Sequence, residues 1–195
     1  MPKSPIAVYG KYSDISLEIP RLDASTLAWK TIDYPHSEIH SGNHFFCKDA
    51  IILSINNYID FQIVTPDLTK WGHWEVVFTT SSEFEYWLYE GVTINTPGIA
   101  CVGIDRNRNT RNTAGITHAY IVNTSEANAN IDTTVSGSLQ MAHGMIGAGK
   151  QQGGQGSSRQ ELVLKQNTAY SLRFKAIAAG YIDWLADWYR HTDKK

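Results

Sequence analysis

The sequence predicts an all-β protein, a jelly roll or a related antiparallel β-sandwich with an extended N-terminal arm. Short runs of aromatic and β-branched residues recur along the chain, and these residue types suit a pleated, half-buried surface. Turn-forming residues separate the runs, and no segment keeps a clear helical period. With 195 residues, 42% of them hydrophobic, the chain can bury a substantial core.

The centre of the predicted fold is a meander of three strands at residues 58–65, 71–79 and 83–90. The first strand ends at Pro66, which has no N–H to donate to a neighbouring strand. In the second strand Trp74, Val76 and Phe78 alternate with Glu75 and Val77, so that they point to opposite faces. A meander cannot cover its own apolar face, and therefore either a second sheet or closure of the sheet on itself is expected from the rest of the chain.

Further strands are predicted on both sides of this meander, at residues 44–48, 51–55, 92–95, 99–104, 116–123, 138–146, 161–165 and 169–178. Polar loops are predicted at residues 106–115, 125–136 and 147–158. The last segment, residues 180–191, fits helical spacing and strand alternation equally well. Its two tryptophans and its initial glycine favour a strand.

Residues 1–36 are interpreted as an irregular N-terminal arm, and residues 37–195 as a single sandwich domain. The arm contains two short apolar patches, at residues 6–9 and 27–29, which include Tyr9 and Trp29. These patches could dock on a neighbouring molecule or lie on their own domain, and both possibilities remain open.

Charge and composition narrow the classes of partner. A formal net charge of −2 lacks the basic excess of nucleic-acid-binding domains. No secretion signal and no apolar run of membrane-spanning length is visible, which predicts a protein made inside the cell without a membrane partner. Cys47 and Cys101 could pair, although two buried thiols in a reducing compartment are the favoured interpretation.

A weak metal candidate lies at His36, Glu38 and His40. On a strand these three side chains would share one face, and two histidines with a carboxylate can bind zinc, iron or manganese. A further ligand would have to come from elsewhere in the chain, from His73, His118 or His143. Pro35 and residues 41–43 argue against a helix here. Hydrogen-bonded or solvated histidines are favoured, so no metal and no other cofactor is expected.

The chain has no convincing catalytic motif, and it is predicted not to be an enzyme. Paired carboxylates in a cleft could hydrolyse glycosides, but carboxylates on the outward face of strands have the same pattern, and that interpretation is favoured for Glu83, Glu85, Glu90, Asp183 and Asp187. A GxxxxGK pattern at residues 144–150 lacks the Ser or Thr and the helix that a phosphate loop needs.

The polar loop RNRNTRN at residues 106–112 is a candidate contact surface. Its guanidinium groups, from Arg106, Arg108 and Arg111, could contact phosphate, carboxylate or a neighbouring subunit. A solvated loop is the alternative. The six tryptophans and ten tyrosines could also form a sugar-stacking surface, although core packing is expected for most of them.

Six short phrases occur in a characteristic order along about 160 residues: DYPHSEIHSGNHFF (33–46), INNYIDFQIVTPDLTKWGH (55–73), LYEGVT (88–93), DRNRNT (105–110), GSSRQELVLKQNTAYSLR (156–173) and WYRHTDK (188–194). In these phrases the chain resembles a group of small proteins encoded in tailed-bacteriophage genomes, often near the gene of the major capsid protein.

The resemblance implies a non-enzymatic structural protein of the virion. Its most specific form is a capsid cement or decoration protein that binds the outer surface of the major capsid protein lattice as a dimer or trimer and stabilises the head. The resemblance does not specify which residues contact the capsid, and the N-terminal arm lies outside it. The candidate contacts with capsid or subunits come from the arm and the RNRNTRN loop themselves: Tyr9, Trp29, Arg106, Arg108 and Arg111. The alternative is a tail or head fibre-type β module that binds host surface glycans.

Overall fold

Strands dominate the computed structural model, which describes residues 34–68, 70–124, 130–147, 151–153 and 161–191. One short helix, α1 (Tyr34–His40), precedes them. The strands are β1 (His44–Leu53), β2 (Tyr58–Val64), β3 (Trp71–Thr80), β4 (Phe84–Glu90), β5 (Thr93–Ile94), β6 (Ile99–Cys101), β7 (Ile104–Asp105), β8 (Thr117–Asn123), β9 (Ile131–Asp132), β10 (Leu139–Ile146), β11 (Gln151–Gly153), β12 (Leu162–Leu164), β13 (Ala169–Ala176) and β14 (Gly180–His191).

Two antiparallel sheets pack face to face as a sandwich. Sheet I has the order β11-β3-β14-β1-β7, with β12 also paired to β3, and sheet II has the order β10-β4-β13-β2-β8-β6. Strands β5 and β9 form a separate small ladder. The pairing is nested, because β1 pairs with β14, β2 with β13, β3 with β12 and β11, and β4 with β10. Nested pairing of this kind, divided between two sheets, is jelly-roll topology, and the predicted fold class is confirmed.

Side chains at alternate positions of the strands point inward and fill the space between the sheets. In β14, Ile182, Trp184, Ala186 and Trp188 point inward and are buried. The intervening Asp183 and Asp187 lie on the outer face, as expected for strand carboxylates. The segment at residues 180–191 is therefore a strand, and it runs through the middle of sheet I between β1 and β3.

Helix α1 corrects the expectation of a strand-like segment around His36. Pro35 is compatible with the first turn of a helix, where its missing N–H is not needed. Gly42, with φ of +67°, ends the helix: its N–H bonds to the carbonyl of Ile39, and the N–H of Asn43 bonds to that of Glu38. The residues that argued against a helix are thus its start and stop signals.

The predicted strand at residues 99–104 is two strands that belong to different sheets. The chain leaves sheet II after Cys101 and joins sheet I at Ile104, so that this segment crosses the open side of the sandwich. Gly103 lies at the crossing. A Cβ at this position would be 2.8 Å from the Trp188 ring and 2.7 Å from Ala114, so the close approach requires glycine.

Two predicted loops contain short strands. Ile131, within the predicted polar connection at 125–136, is fully buried and belongs to β9. Strand β11 lies within the predicted loop at 147–158 and pairs with β3. Conversely, the apolar runs at 44–48 and 51–55 form the single strand β1. The compact unit that contains all described residues begins at Tyr34. None of its helices is long and apolar enough to span a membrane.

Candidate functional site

The candidate site is one end of the sandwich, which we call the lower end. At this end β1, β3, β8 and β13 begin, and β2, β4 and β14 end. Its loops are residues 41–43, 65–68, 91–92, 106–116 and 165–168. Antiparallel pairing brings these loops together although they are far apart in the sequence.

Asp187 on β14 is the centre of an ion-pair cluster on the outer face of sheet I. His44 Nε2 lies 2.7 Å from Asp187 Oδ1, and Arg106 Nε donates to the same oxygen at 3.1 Å. A terminal nitrogen of Arg106 also donates to Oδ2, which makes the contact bidentate. The guanidinium lies 5.0 Å from the centre of the Phe46 ring. Arg106, predicted as a capsid contact, is therefore engaged within its own chain.

His44 links this cluster to the helix. Its second ring nitrogen, Nδ1, lies 3.2 Å from the carbonyl oxygen of Pro35. Asn43, one residue before β1, accepts a hydrogen bond from Lys70 Nζ at 2.8 Å. Helix α1, the first strand and the β2–β3 loop are thus held together at the lower end.

The electrostatics of the cluster favour an ionised Asp187. Burial by itself raises the pKa of this carboxyl, but the hydrogen bonds from His44 and Arg106 outweigh it, and the pKa lies below the ordinary value. Glu75 lies opposite Asp187 on β3. Its pKa is raised, first by burial and then by the negative charges of Asp187 and Glu161.

Asp187→Asn is predicted to lower the free energy of unfolding at pH 7 by about 1–3 kcal/mol, since it weakens two charge-assisted hydrogen bonds. Because the folded pKa of Asp187 is depressed, its contribution is fully present above the unfolded pKa of about 3.9 and is lost as the pH falls through the folded pKa. Urea unfolding across this acid range should show the two proteins converging.

The matched control is Asp183→Asn, four residues earlier on the same face, where the carboxylate pairs with Lys48 at 3.3 Å. This variant should be nearly as stable as the wild type at every pH. A stability difference for Asp187→Asn that stayed constant down to low pH would contradict the ionised cluster.

A second group of polar side chains adjoins the first. The ring of His73 stacks on that of Tyr189, with 4.6 Å between ring centres, and His191 packs against the same imidazole at 4.2 Å. His73 Nδ1 is hydrogen-bonded to Glu161, which also accepts from the Tyr189 hydroxyl at 2.7 Å. A cleft of about 190 Å³ lies between these residues and Asp187.

The RNRNTRN loop is held in place by the residue just before it. Asp105 accepts hydrogen bonds from Asn107 N at 2.8 Å, Thr110 Oγ1 at 2.6 Å and Asn112 N at 2.9 Å. Burial opposes ionisation of Asp105, but these hydrogen bonds and nearby Arg108 outweigh it and lower its pKa. The loop is therefore organised around a buried carboxylate.

Three further hydrogen bonds fix this loop to its surroundings. Asn107 Nδ2 donates to the carbonyl of His40 at 3.2 Å, and Asn112 Nδ2 donates to that of Gly42 at 2.9 Å. From β14, Arg190 donates to the carbonyl of Thr113 at 2.8 Å. The side chains of Arg108 and Arg111 are exposed on this anchored loop, and Arg111 has φ of 56°.

An apolar groove of about 710 Å³ opens beside the loop. It is lined by segments 97–103 and 112–119, together with Gln62, Val64 and Ile94. At its inner wall lies His118, whose Nε2 accepts from Trp74 Nε1 at 3.1 Å. Burial lowers the pKa of His118 to about 3, which keeps the ring neutral.

The weak metal candidates do not come together. His36 and His40 are one helical turn apart, with their Nε2 atoms 3.1 Å apart. Glu38 is buried, and its carboxylate accepts from Asn43 Nδ2 at 3.0 Å. On a helix the middle residue does not share the face of its i±2 neighbours. Within the described residues no group of three or more His, Cys, Asp or Glu side chains could hold a metal ion.

The other predicted contact residues, Tyr9 and Trp29, lie outside the described residues. The cluster around Asp187 was not predicted as a unit, although Asp187 and His73 were each noted. In sequence the cluster shows only as polar residues at the outward-facing positions of β1, β3 and β14. These positions predict a cluster only when the order of the three strands in sheet I is known.

Most tryptophans that the structure describes belong to the core. Trp74, Trp184 and Trp188 are buried, and Trp87 stacks on His143 with 5.2 Å between ring centres. Trp71 is partly exposed at the start of β3. Most of the described tryptophan side chains therefore pack in the core, as expected.

A scan against protein-family models, a search of curated proteins and a search of solved structures found no match to this chain.

Proposed function

We propose that this chain is a structural protein of a tailed-bacteriophage virion, a capsid cement or decoration subunit that binds the outer surface of the major capsid protein lattice through its lower end. It acts without catalysis, as a homo-oligomeric dimer or trimer whose repeated weak contacts add up over a symmetric lattice. The observation that supports the proposal is that all six sequence phrases that resemble phage proteins contribute residues to the lower end.

Each of the six phrases contributes residues to the lower end, and side chains of one phrase bond to side chains or backbone carbonyls of another. Hydrogen bonds or ion pairs join Lys70 to Asn43, Asn107 to His40, His73 and Tyr189 to Glu161, Thr65 to the carbonyl of Lys165, and Tyr170 to Glu90. Residues from all six phrases therefore meet at the lower end, and this shared location supports the lower end as the surface that binds a partner.

The anchored RNRNTRN loop suits the binding of a rigid lattice. Its backbone is fixed by Asp105 and by donors from Asn107, Asn112 and Arg190 before any partner is met. Such preorganisation reduces the entropy lost on association. With Arg106 paired to Asp187, the exposed Arg108 and Arg111 are the guanidinium groups of this loop that would meet acidic groups of the capsid.

The proposal is tested with particles that lack this protein, prepared from the phage whose genome encodes it. Purified wild-type chain should co-sediment with these particles and saturate. The double variant Arg108→Glu/Arg111→Glu should bind with affinity lower by on the order of tenfold or more, because the reversed charges now face acidic groups. The loss should be smaller at high salt.

The matched control is Lys48→Glu/Lys175→Glu, which makes the same change in net charge away from the lower end. It should bind like the wild type. Absence of wild-type binding would contradict the cement function, and equal binding by the two double variants would contradict docking through the loop.

A further inference from the structure

Cys47 and Cys101 meet across the interior of the sandwich. Cys47 points inward from β1 of sheet I, and Cys101 lies on β6 at the edge of sheet II. Strands β1 and β6 approach within 8 Å between Cα atoms. Both cysteine side chains line the same small internal cavity between the sheets, and both cysteines are free. The two thiols from opposite sheets are therefore close neighbours in the interior.

The surroundings of the pair divide the two sulfurs into an accessible and a buried one. Cys47 is buried, whereas Cys101 is partly exposed just before the chain crosses between the sheets. The hydrogen bond from Cys47 lowers the pKa of Cys101 against the effect of burial, with help from Trp184. The same contact, with burial, raises the pKa of Cys47.

We propose that Cys47 and Cys101 form an intramolecular disulfide that joins the two sheets when the folded protein meets a small-molecule disulfide. The Cys101 thiolate attacks one sulfur of the oxidant, forming a mixed disulfide and releasing one thiolate. Cys47 then loses its proton to solvent and attacks the Cys101 sulfur, which expels the second thiolate. In sum, two protein thiols and one small disulfide give one protein disulfide and two small thiols.

The bond would close the chain segment from Cys47 to Cys101, which contains the whole of β2, β3 and β4. Closing a long loop restricts the unfolded chain and stabilises the fold. A protein that folds in a reducing compartment and later enters an oxidising one would form the disulfide on entry, and its fold would then become more stable. This inference stands on the geometry of the two cysteines and does not depend on the proposed function.

The test treats reduced, folded, full-length protein with oxidised glutathione in native buffer. Intact mass should fall by two hydrogen atoms, and a peptide map without reductant should contain one linked peptide pair with Cys47 and Cys101. The Tm of the oxidised protein should exceed that of the reduced protein by roughly 5–10 °C. Dithiothreitol should reverse the change.

Two single variants separate the steps. Cys47→Ala should stop at a glutathione adduct on Cys101, and Cys101→Ala should leave Cys47 largely unmodified, because it is buried in the core. Oxidised wild-type protein that carries only glutathione adducts, forms only intermolecular dimers, or gains no thermal stability would overturn the inference.

Discussion

Asp60→Asn is expected to lower the free energy of unfolding by about 3–5 kcal/mol, because it leaves a buried guanidinium without its counter-charge. Asp60 on β2 is 0% exposed and Arg173 on β13 is 4% exposed. Arg173 Nε donates to Asp60 Oδ1 at 2.6 Å, and a terminal nitrogen of Arg173 donates to Oδ2 at 3.2 Å. Ser171 and Asn123 also donate to this carboxylate, at 3.3 and 3.0 Å.

This ion pair lies on the outer face of sheet II, where a strand residue would ordinarily meet water. The small β5–β9 ladder accounts for its burial. Arg173 donates to the carbonyl of Ile131 at 3.4 Å, while Gln62 bonds to the carbonyl of Thr96 and to the N–H of Gly98 at 2.8 and 2.9 Å. The polar network and the segments that cover it thus stabilise each other.

Urea unfolding followed by circular dichroism measures this effect. The control is Lys48→Met, which breaks an ion pair between Lys48 and Asp183 on sheet I. This pair is exposed to solvent, since the lysine side chain is 59% exposed. That variant should change stability by less than about 1 kcal/mol. Equal changes in the two variants would show that Asp60 is not isolated from water.

Trp188→Ala is the second large effect, with an expected loss of about 3–5 kcal/mol. Trp188 on β14 is 1% exposed. It stacks against Phe45 with 6.1 Å between ring centres and packs against His118 at 4.1 Å. Its indole N–H points to the carbonyl of Ala114 at 3.4 Å, and its six-membered ring fills the space beside Gly103. Removal of the ring would leave a cavity beside the crossing between the sheets.

The control is Trp71→Ala, at the start of β3, where the side chain is 37% exposed. It should cost less than about 1.5 kcal/mol, because much of the ring already contacts solvent. Circular dichroism is again the appropriate signal, since both variants alter tryptophan fluorescence. A loss for Trp188→Ala as small as that for Trp71→Ala would contradict its position in the core.

The parts of the fold that were predicted correctly depend on local alternation. In β3, Trp74 and Phe78 alternate with Glu75 and Val77, and this pattern is independent of which strand lies alongside. In β14 the alternation was matched by helical spacing, and the two tryptophans and the initial glycine favoured the strand, in which Trp184 and Trp188 point inward and Asp183 and Asp187 outward. Period-two patterns together with residue types therefore predicted these strands and their buried faces.

The parts that were missed depend on tertiary context. The crossing at Gly103 divides one apolar run between two sheets, and its only local sign is this glycine, which a bulge or bend within a single strand would show equally. Ile131 is a single buried residue in a polar segment, and its pairing with β5 is visible only in three dimensions. Helix α1 was missed because a proline and a glycine seven residues apart were interpreted as breaks rather than as its ends.

The candidate site was predictable only in pieces. The arginines of the RNRNTRN loop were recognised by composition, but the pairing of Arg106 with Asp187 requires residues that are far apart in sequence to share the outer face of sheet I. This pairing assigns different roles to arginines that look equivalent in sequence. Arg106 holds the loop to the sheet, and the exposed Arg108 and Arg111 are the ones available to a partner.

We propose that the chain is a component of the capsid surface, and the copy number of the protein in purified virions tests this proposal most directly. Quantitative mass spectrometry against the major capsid protein is the measurement. A lattice cement protein should be present in on the order of hundreds of copies per particle, in a fixed ratio to the capsid subunit, because it follows the symmetry of the lattice. A few dozen copies or fewer would move the protein to the tail, a vertex or the fibres, and absence from the particle would contradict a structural role in the virion.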